Sequence, residues 1–476
     1  YERALALGAS AAELGRKTGW PPLEARALVL VAECQQRHRD FDQALASLDR
    51  AASVAAAAKE DAVLAEALAA RFFILDEDLG RPGEALAGRT YVELALVRAG
   101  NPPDLRARWL HFVAIAEYGQ HHQDEALAHE VEAVAIWRKT LRPDSARLLD
   151  SLETEANIQV ARKQFDVAES LLREVLAGRI AARGPDDPLV ASAEDNFGVL
   201  EFTRYHVEAA IDHWERAASI SERSGTRNWR IYSNLGAART ELGRLHAAAA
   251  DFEKARAMVE REAPGDSAYA GECTVSIGSV LTQLGQLDRA APLLERGLAI
   301  ARRTKSSALP LALFSTAKYA LVRGDVASAA ADLRELEHAD DDEKDPMRAI
   351  LAAEVARAQS GCRGAAPAIA RALAAVADDP YQSERMEASL VSAGCHVDLG
   401  EPARAIAQLE PDIAWLEQHH ADAEAVAPAR FTLARALAAS GGDRERARAL
   451  AQAALPSLFG RDRDDAVRWL RHDAAR

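Results

Sequence analysis

The sequence predicts an all-α fold, a solenoid or superhelix of about eleven helical hairpins, and three observations carry that prediction. Apolar residues recur at three- and four-residue steps along almost the whole chain. A small residue early in each second helix returns at a near-constant interval: Ala44, Ala85, Ala126, Ala168, Ala210, Ala248, Ala290, Ala329, Ala368, Ala405 and Ala447 are separated by 41, 41, 42, 42, 38, 42, 39, 39, 37 and 42 residues. Between the two apolar seams of each unit lies a short break, often holding a glycine that can end a helix in a left-handed conformation.

The unit is clearest from Asn228 to Glu260. Tyr232, Leu235, Gly236 and Arg239 define one helical face, Leu245, Ala248, Phe252 and Ala255 a second, and Glu241-Leu242-Gly243-Arg244 turns the chain between them. Gly236 is expected to face Ala248 where the helices cross, because small residues there let backbones approach closely. A single hairpin cannot bury both faces, so copies must stack. Related turns occur at residues 37–45, 162–171, 284–294, 322–333 and 399–409. Domain organisation follows as a main solenoid over 1–337, an acidic loop over 338–346, and a continued solenoid over 347–476. A capping helix at 463–476 carries Val467, Trp469 and Leu470 on one side and charges on the other.

Composition narrows the functional classes. The 476 residues are 49% hydrophobic but only 5% aromatic, which suits an alanine- and leucine-rich helical core. A net charge of −15 disfavours a nucleic-acid partner, since phosphate binding needs a basic face. No apolar run approaches the ~18 to 20 residues that would cross a bilayer, so no membrane partner is expected. Cys34, Cys273, Cys362 and Cys395 are scattered without a CxxC pair, which predicts reduced thiols and a cytoplasmic setting. The helical pattern is under way within a few residues of Tyr1, so a preceding segment is expected.

The repeat resembles the tetratricopeptide repeat. Leu235-Gly236, Gly243, Ala248, Phe252 and Ala255 match that family's signature in order, as do Ile277-Gly278, Gly285 and Ala290. The step exceeds the usual ~34 residues of the family. Gly184-Pro185-Asp186-Asp187-Pro188, leading into the next helix, is similar to the longer variant of kinesin light chains and bacterial signalling proteins. Resemblance to the carboxy-terminal repeat regions of large bacterial Ser/Thr kinases, those of myxobacteria above all, implies the regulatory part of a signalling protein. No kinase motif lies in the chain, so any catalysis would belong to another segment. The alternative is the effector-binding repeat domain of a transcriptional regulator.

Such repeats imply a protein or peptide ligand on the concave face, lined by first helices. By counting from Ala156, Gly198 and Gly236, Asn157, Asn196, Arg230 and Asn234 fall on positions that carboxylate-clamp relatives use to hold a ligand. Glu153 stands where those relatives have lysine and Asn234 where they have arginine. The resemblance therefore implies amide recognition of a peptide backbone rather than a full clamp, the alternative being that these asparagines satisfy loops or neighbouring helices. No cofactor is expected: GxxxxGK[ST], GxGxxG and HExxH are all absent. His111, His121, His122 and His129 with Glu125 form a metal-like cluster, but the favoured reading is a polar turn beside a solvated helix surface; a hydrolase built on them is a distant third class. Trp229 at a helix start is a candidate exposed aromatic. Oligomeric state is not legible in the sequence.

Overall fold

Most hairpin turns are closed by the same backbone hydrogen bond. The N–H of Asp40, Gln164, Arg244, Gln286, Asp325 and Glu401 donates to the carbonyl five residues earlier, at 2.8–2.9 Å. This Schellman-type closure needs a residue of positive φ between the helices. Gly243 and Gly285 supply it (φ 70° and 69°), whereas Arg39, Lys163 and Tyr205 adopt it as side-chain-bearing residues (φ 66°, 58° and 65°). That explains why several turns carry no glycine in the sequence.

The computed structural model describes residues 2–262, 267–339, 345–377 and 382–474. Among them there are 23 α-helices and no strand. After α1 (Glu2–Thr18) the hairpins are α2 (Pro21–Arg37) with α3 (Phe41–Ala58), α4 (Asp61–Phe73) with α5 (Pro82–Arg98), α6 (Pro103–Gly119) with α7 (Gln123–Thr140), and α8 (Ala146–Ala161) with α9 (Phe165–Arg183). Next come α10 (Pro188–Thr203) with α11 (Val207–Ser224), α12 (Trp229–Glu241) with α13 (Leu245–Glu262), α14 (Ala268–Gln283) with α15 (Leu287–Thr304), and α16 (Leu309–Val322) with α17 (Val326–Ala339). The long α18 (Pro346–Ala375) breaks at Gly361 (φ 66°) and forms a hairpin by itself. Finally α19 (Gln382–Asp398) pairs with α20 (Pro402–Gln418), α21 (Ala423–Ala439) pairs with α22 (Arg444–Ala454), and α23 (Gly460–Ala474) follows. The all-α hairpin array read from the sequence is thus the fold. Most of the acidic loop expected at 338–346 lies outside the described residues.

The repeating alanine marks the crossing point. Ala44, Ala85, Ala126, Ala168, Ala210, Ala248, Ala290, Ala329, Ala405 and Ala447 are at most 1% exposed, and Ala368 is 7% exposed. One detail differs from expectation: a Cβ on Gly236 would meet the Phe252 ring at 2.8 Å, not Ala248. Gly198 faces Trp214 and Gly278 faces Leu294 in the same way. The first-helix glycine therefore makes room for the large residue one turn beyond the anchor alanine.

The chain divides into two compact units, 1–196 and 197–476, the division falling inside α10. Within the second unit the hairpins meet edge to edge after less than half the chain. The α12–α13 turn touches the loop between α20 and α21: the Asp422 N–H donates to the Gly243 carbonyl (2.9 Å), and Arg244 Nε donates to the His419 carbonyl (3.0 Å). Glu241 accepts from the Ser383 N–H (3.1 Å) at the start of α19. Phe459, just after α22, lies against Gly285 in the α14–α15 turn. At the far end, Trp469 of α23 packs with Phe431 (6.5 Å, edge-on) over a cluster of Ala427, Ala434 and Ala466.

The expectation of four reduced thiols fails at one pair. Cys362 and Cys395 form a disulfide, with Cα atoms 5.1 Å apart, while Cys34 and Cys273 are free. A sequence separation of 33 hides the pairing, which forms because the second half of α18 packs beside α19.

Candidate functional site

The sequence-derived residues fall in both units, Asn157 and Asn196 in the first and Arg230 and Asn234 in the second. In the first unit Glu153 decides what surrounds Asn196. Its carboxylate takes a forked pair of bonds from Arg179 (2.7 and 2.8 Å), and a further bond from the Asn196 side-chain amide (2.7 Å). Arg179 also reaches Asp150 (3.1 Å) and the Leu189 carbonyl (2.9 Å), and its side chain is 2% exposed. Burial pushes the Asp150 carboxyl up, against the pull of Arg179. A second helix thus delivers its own cation to a position where carboxylate-clamp relatives carry lysine, and Asn196 is engaged by this cluster. Asn157 is half-buried on α8.

The histidines do not assemble. His111 Nδ1 lies 3.0 Å from Glu130, whose carboxylate also accepts from the Ser151 hydroxyl; Glu130 and Ser151 are fully buried. His129 Nδ1 pairs instead with Glu117 at 2.7 Å. His121 occupies the positive-φ turn position, and His122 precedes α7. Each neighbouring carboxylate meets one histidine, so the imidazoles are engaged with separate partners rather than gathered round one point. A cavity of about 290 Å³ opens nearby, floored by Leu96, Trp109, Leu110 and Val113 and edged by the paired charges Arg89–Glu93 and Arg106–Glu132.

In the second unit, α12 and α14 place corresponding residues side by side. Arg230 is exposed, its guanidinium 5.7 Å from the Trp229 ring centre, and Trp229 meets the half-exposed Tyr269 at 4.9 Å. Asn228 caps α12 by accepting from the Arg230 N–H (3.1 Å), fixing where that helix begins. Glu272, one hairpin on from Arg230, has its carboxyl pushed up by burial and drawn back by the Arg230 charge. Farther along the same strip are Ser233, Asn234 and Ala237 on α12 and Ser276 and Ser279 on α14, all half-buried or exposed.

Three further first helices converge on Lys318. Its ammonium contacts Glu354 on α18 (2.6 Å) and Glu387 on α19 (3.3 Å). Burial opposes the Lys318 charge, yet the two carboxylates outweigh it and hold its pKa above the ordinary lysine value. Burial raises Glu387 in turn. This network was missed in the sequence, although the 36 residues from Lys318 to Glu354 are close to one repeat step. Outer positions on second helices are stitched differently, by Arg–Glu pairs such as Arg289–Glu253, Arg302–Glu335 and Arg244–Glu208.

Among the described residues no group of three or more candidate ligands could hold a metal ion, and no helix is long and apolar enough to cross a membrane.

Two family models, each described as tetratricopeptide repeat, match residues 106–146 and 230–303. No curated protein matches the chain. Among solved structures, a Rap protein complexed with competence and sporulation factor is 16% identical, covering 75% of this chain and 98% of its own, with a TM-score of 0.52. The apo form of RapI is 11% identical over 74% of this chain and 98% of its own, with a TM-score of 0.56. Kinesin-light-chain repeats from Podosopora anserina are 22% identical over 43% of this chain and 99% of theirs, with a TM-score of 0.36. At these identities the likeness is one of fold. With helical hairpins of matching signature in both units, the chain carries tetratricopeptide repeats in each.

Proposed function

We propose that the chain is a non-catalytic scaffold or sensor that holds a protein or peptide segment against the concave, first-helix face of its repeats. The observation that carries this reading is the strip on α12 and α14. Short polar side chains at Ser233, Asn234, Ser276 and Ser279 leave room for a peptide backbone, and Arg230 with Glu272, Trp229 and Tyr269 stands at its head. Asparagine offers a donor and an acceptor to a backbone, and arginine a forked cation to a carboxylate. Asn157 and Asn196 extend the reading to the first unit as the sequence proposes, with Asn196 presenting to a ligand whatever its bond to Glu153 leaves. The Rap protein complexed with competence and sporulation factor supports the general mode, a repeat array that holds a factor.

On this reading the chain is the regulatory part of a larger bacterial signalling protein such as a Ser/Thr kinase, with any transfer chemistry in a separate segment. The test is selection of binders from a random displayed-peptide library, followed by hydrogen–deuterium exchange with the enriched peptide. Slowed exchange in α12, α14 and α16 supports the proposal. Slowing confined to α13, α15 and α17 sinks it.

A further inference from the structure

Helix α5 both buries and exposes apolar side chains. Ala85, Val92, Ala95 and Leu96 are buried against the fold, yet Leu86, Tyr91, Leu94 and Val97 are 36%, 65%, 56% and 64% exposed. Exposed apolar residues that run together mark a surface suited to a partner. On the outward side, residues 83, 87, 90, 94 and 97 follow one another at steps of four, three, four and three, the 3.5-residue period of a coiled-coil seam. Gly83, Ala87, Thr90, Leu94 and Val97 occupy that seam, all exposed and none charged, and space around Gly83 is open. The charges of α5 stand off the seam, Glu84 paired with Arg81, Arg98 with Asp61 and Arg89 with Glu93.

We infer that α5 is a self-association surface, and that its occupant is α5 of a second copy, packed antiparallel about a two-fold axis near Thr90. The seam is small at its start and large at its end, so reversal sets Gly83 opposite Val97 of the second copy and Ala87 opposite its Leu94. A two-fold interface requires this self-complementarity, since each patch meets itself. The flanks agree in charge. Glu84, Tyr91 and Arg98 are spaced by sevens, and the same axis brings Tyr91 against its own copy and Glu84 against Arg98. Glu84 and Arg98 have side chains 53% and 60% exposed, so their present pairings leave them accessible. A parallel pairing would instead leave gaps along the glycine–alanine end and lose the Glu84–Arg98 match. One helix of 17 residues is about 25 Å long. The contact therefore sits at or below the ~1,200 Å² floor of stable interfaces and predicts a concentration-dependent dimer.

Sedimentation equilibrium of the full chain over roughly 1 to 300 µM, the range in which so small an interface should dissociate, reads this directly. A monomer-to-dimer transition is expected. Leu94→Glu should weaken it more than about tenfold by burying charge at the seam centre, with the melting temperature unchanged because Leu94 is exposed. Glu84→Arg should weaken it too, and Arg98→Glu added to that variant should restore it. Orientation is tested by mixing Gly83→Cys and Val97→Cys chains under mild oxidation, with a mixed cross-link expected. A monomer at every concentration, a dimer indifferent to Leu94→Glu, or cross-linking of Val97→Cys only to itself would each overturn the inference.

Discussion

The carboxylate of Asp422 accepts a hydrogen bond at 2.8 Å from the backbone N–H of His246, 176 residues earlier. His246 is in the first turn of α13, whose opening N–H groups have no partner within the helix. A residue of the α20–α21 connection thus caps a helix of a distant hairpin, and the second unit is held as a closed turn of superhelix. Asp422→Ala should cost about 1 kcal/mol, as loss of a helix cap does elsewhere. Thermal and urea unfolding of the full chain would read the loss. An unchanged midpoint would mean that water replaces the cap.

The same closure separates glycines that are alike in sequence. Gly243, Gly285 and Gly324 all have positive φ, but a Cβ on Gly285 would sit 2.5 Å from the Phe459 ring and one on Gly243 2.9 Å from Ala421, whereas Gly324 has open space. Gly324→Ala should cost about 1 kcal/mol from left-handed strain alone. Gly285→Ala should cost a further 1 to 3 kcal/mol, roughly, for overpacking. Equal losses at the two sites would contradict edge-to-edge contact between hairpins.

Arg179 is the cation of the first unit that cannot be removed cheaply. Replacing it by methionine leaves Glu153 and Asp150 without their partner, and breaking such a pair one-sidedly costs about 3 to 5 kcal/mol. Glu153→Met in the same chain should recover part of that loss, since a carboxylate without its cation is the source of the cost. A double variant no more stable than Arg179→Met would show that packing, not charge, dominates there.

Cys273 supplies a pH dependence. It is fully buried, and burial, with the nearby Glu272 charge second, pushes its thiol well above the ordinary cysteine value, up to about 12. The neutral form is the folded one, so the unfolded chain releases this proton first as pH rises. Stability should therefore fall from about pH 9 upward, by up to ~1.4 kcal/mol per pH unit attributable to this group. Comparing wild type with Cys273→Ala between pH 8 and 11 isolates the effect, and parallel curves would refute it. Native iodoacetamide labelling at pH 8 should likewise spare Cys273.

The Cys362–Cys395 bridge closes a loop of about 33 residues. Chain-entropy arguments give it about 4 kcal/mol. Peptide mapping without reductant should recover the linked pair, and dithiothreitol should lower the melting temperature of wild type but not of Cys395→Ser. A map that recovers both cysteines as free thiols would remove the bridge from the account.

How far the sequence could be read follows from the range of each interaction. The alanine at the crossing and the hairpin turn are local and repeat, so their pattern survived eleven times, even where Lys163 or Tyr205 replaced glycine. The Gly236 contact was assigned to Ala248 because periodicity fixes which faces meet but not which side chain fills the gap; Phe252 does. Pairings between neighbouring hairpins were only partly visible. Lys318–Glu354 and Glu153–Arg179 have spacings that a search for charges near one repeat, or within a hairpin, would have raised. Pairings set by superhelical closure were not visible at all, since Asp422 and His246 are brought together by accumulated twist over several repeats. The disulfide joins neighbouring helices, α18 and α19, and was not visible because its two cysteines lie 33 positions apart with no CxxC pattern.

The central claim, recognition of a peptide or protein segment by first helices, rests most directly on Arg230. The decisive measurement is calorimetric titration of a library-selected peptide against wild type, Arg230→Ala, Asn234→Ala and, as an outer-face control, Arg289→Ala. Each of the first two substitutions should weaken binding by about 0.5 to 3 kcal/mol, with Arg230→Ala at the upper end and sensitive to salt, because its bond is charge-assisted. Arg289→Ala, whose side chain is 61% exposed on the opposite layer, should leave affinity unchanged. Wild-type affinity in both Arg230→Ala and Asn234→Ala, with the chains still folded, would contradict the account.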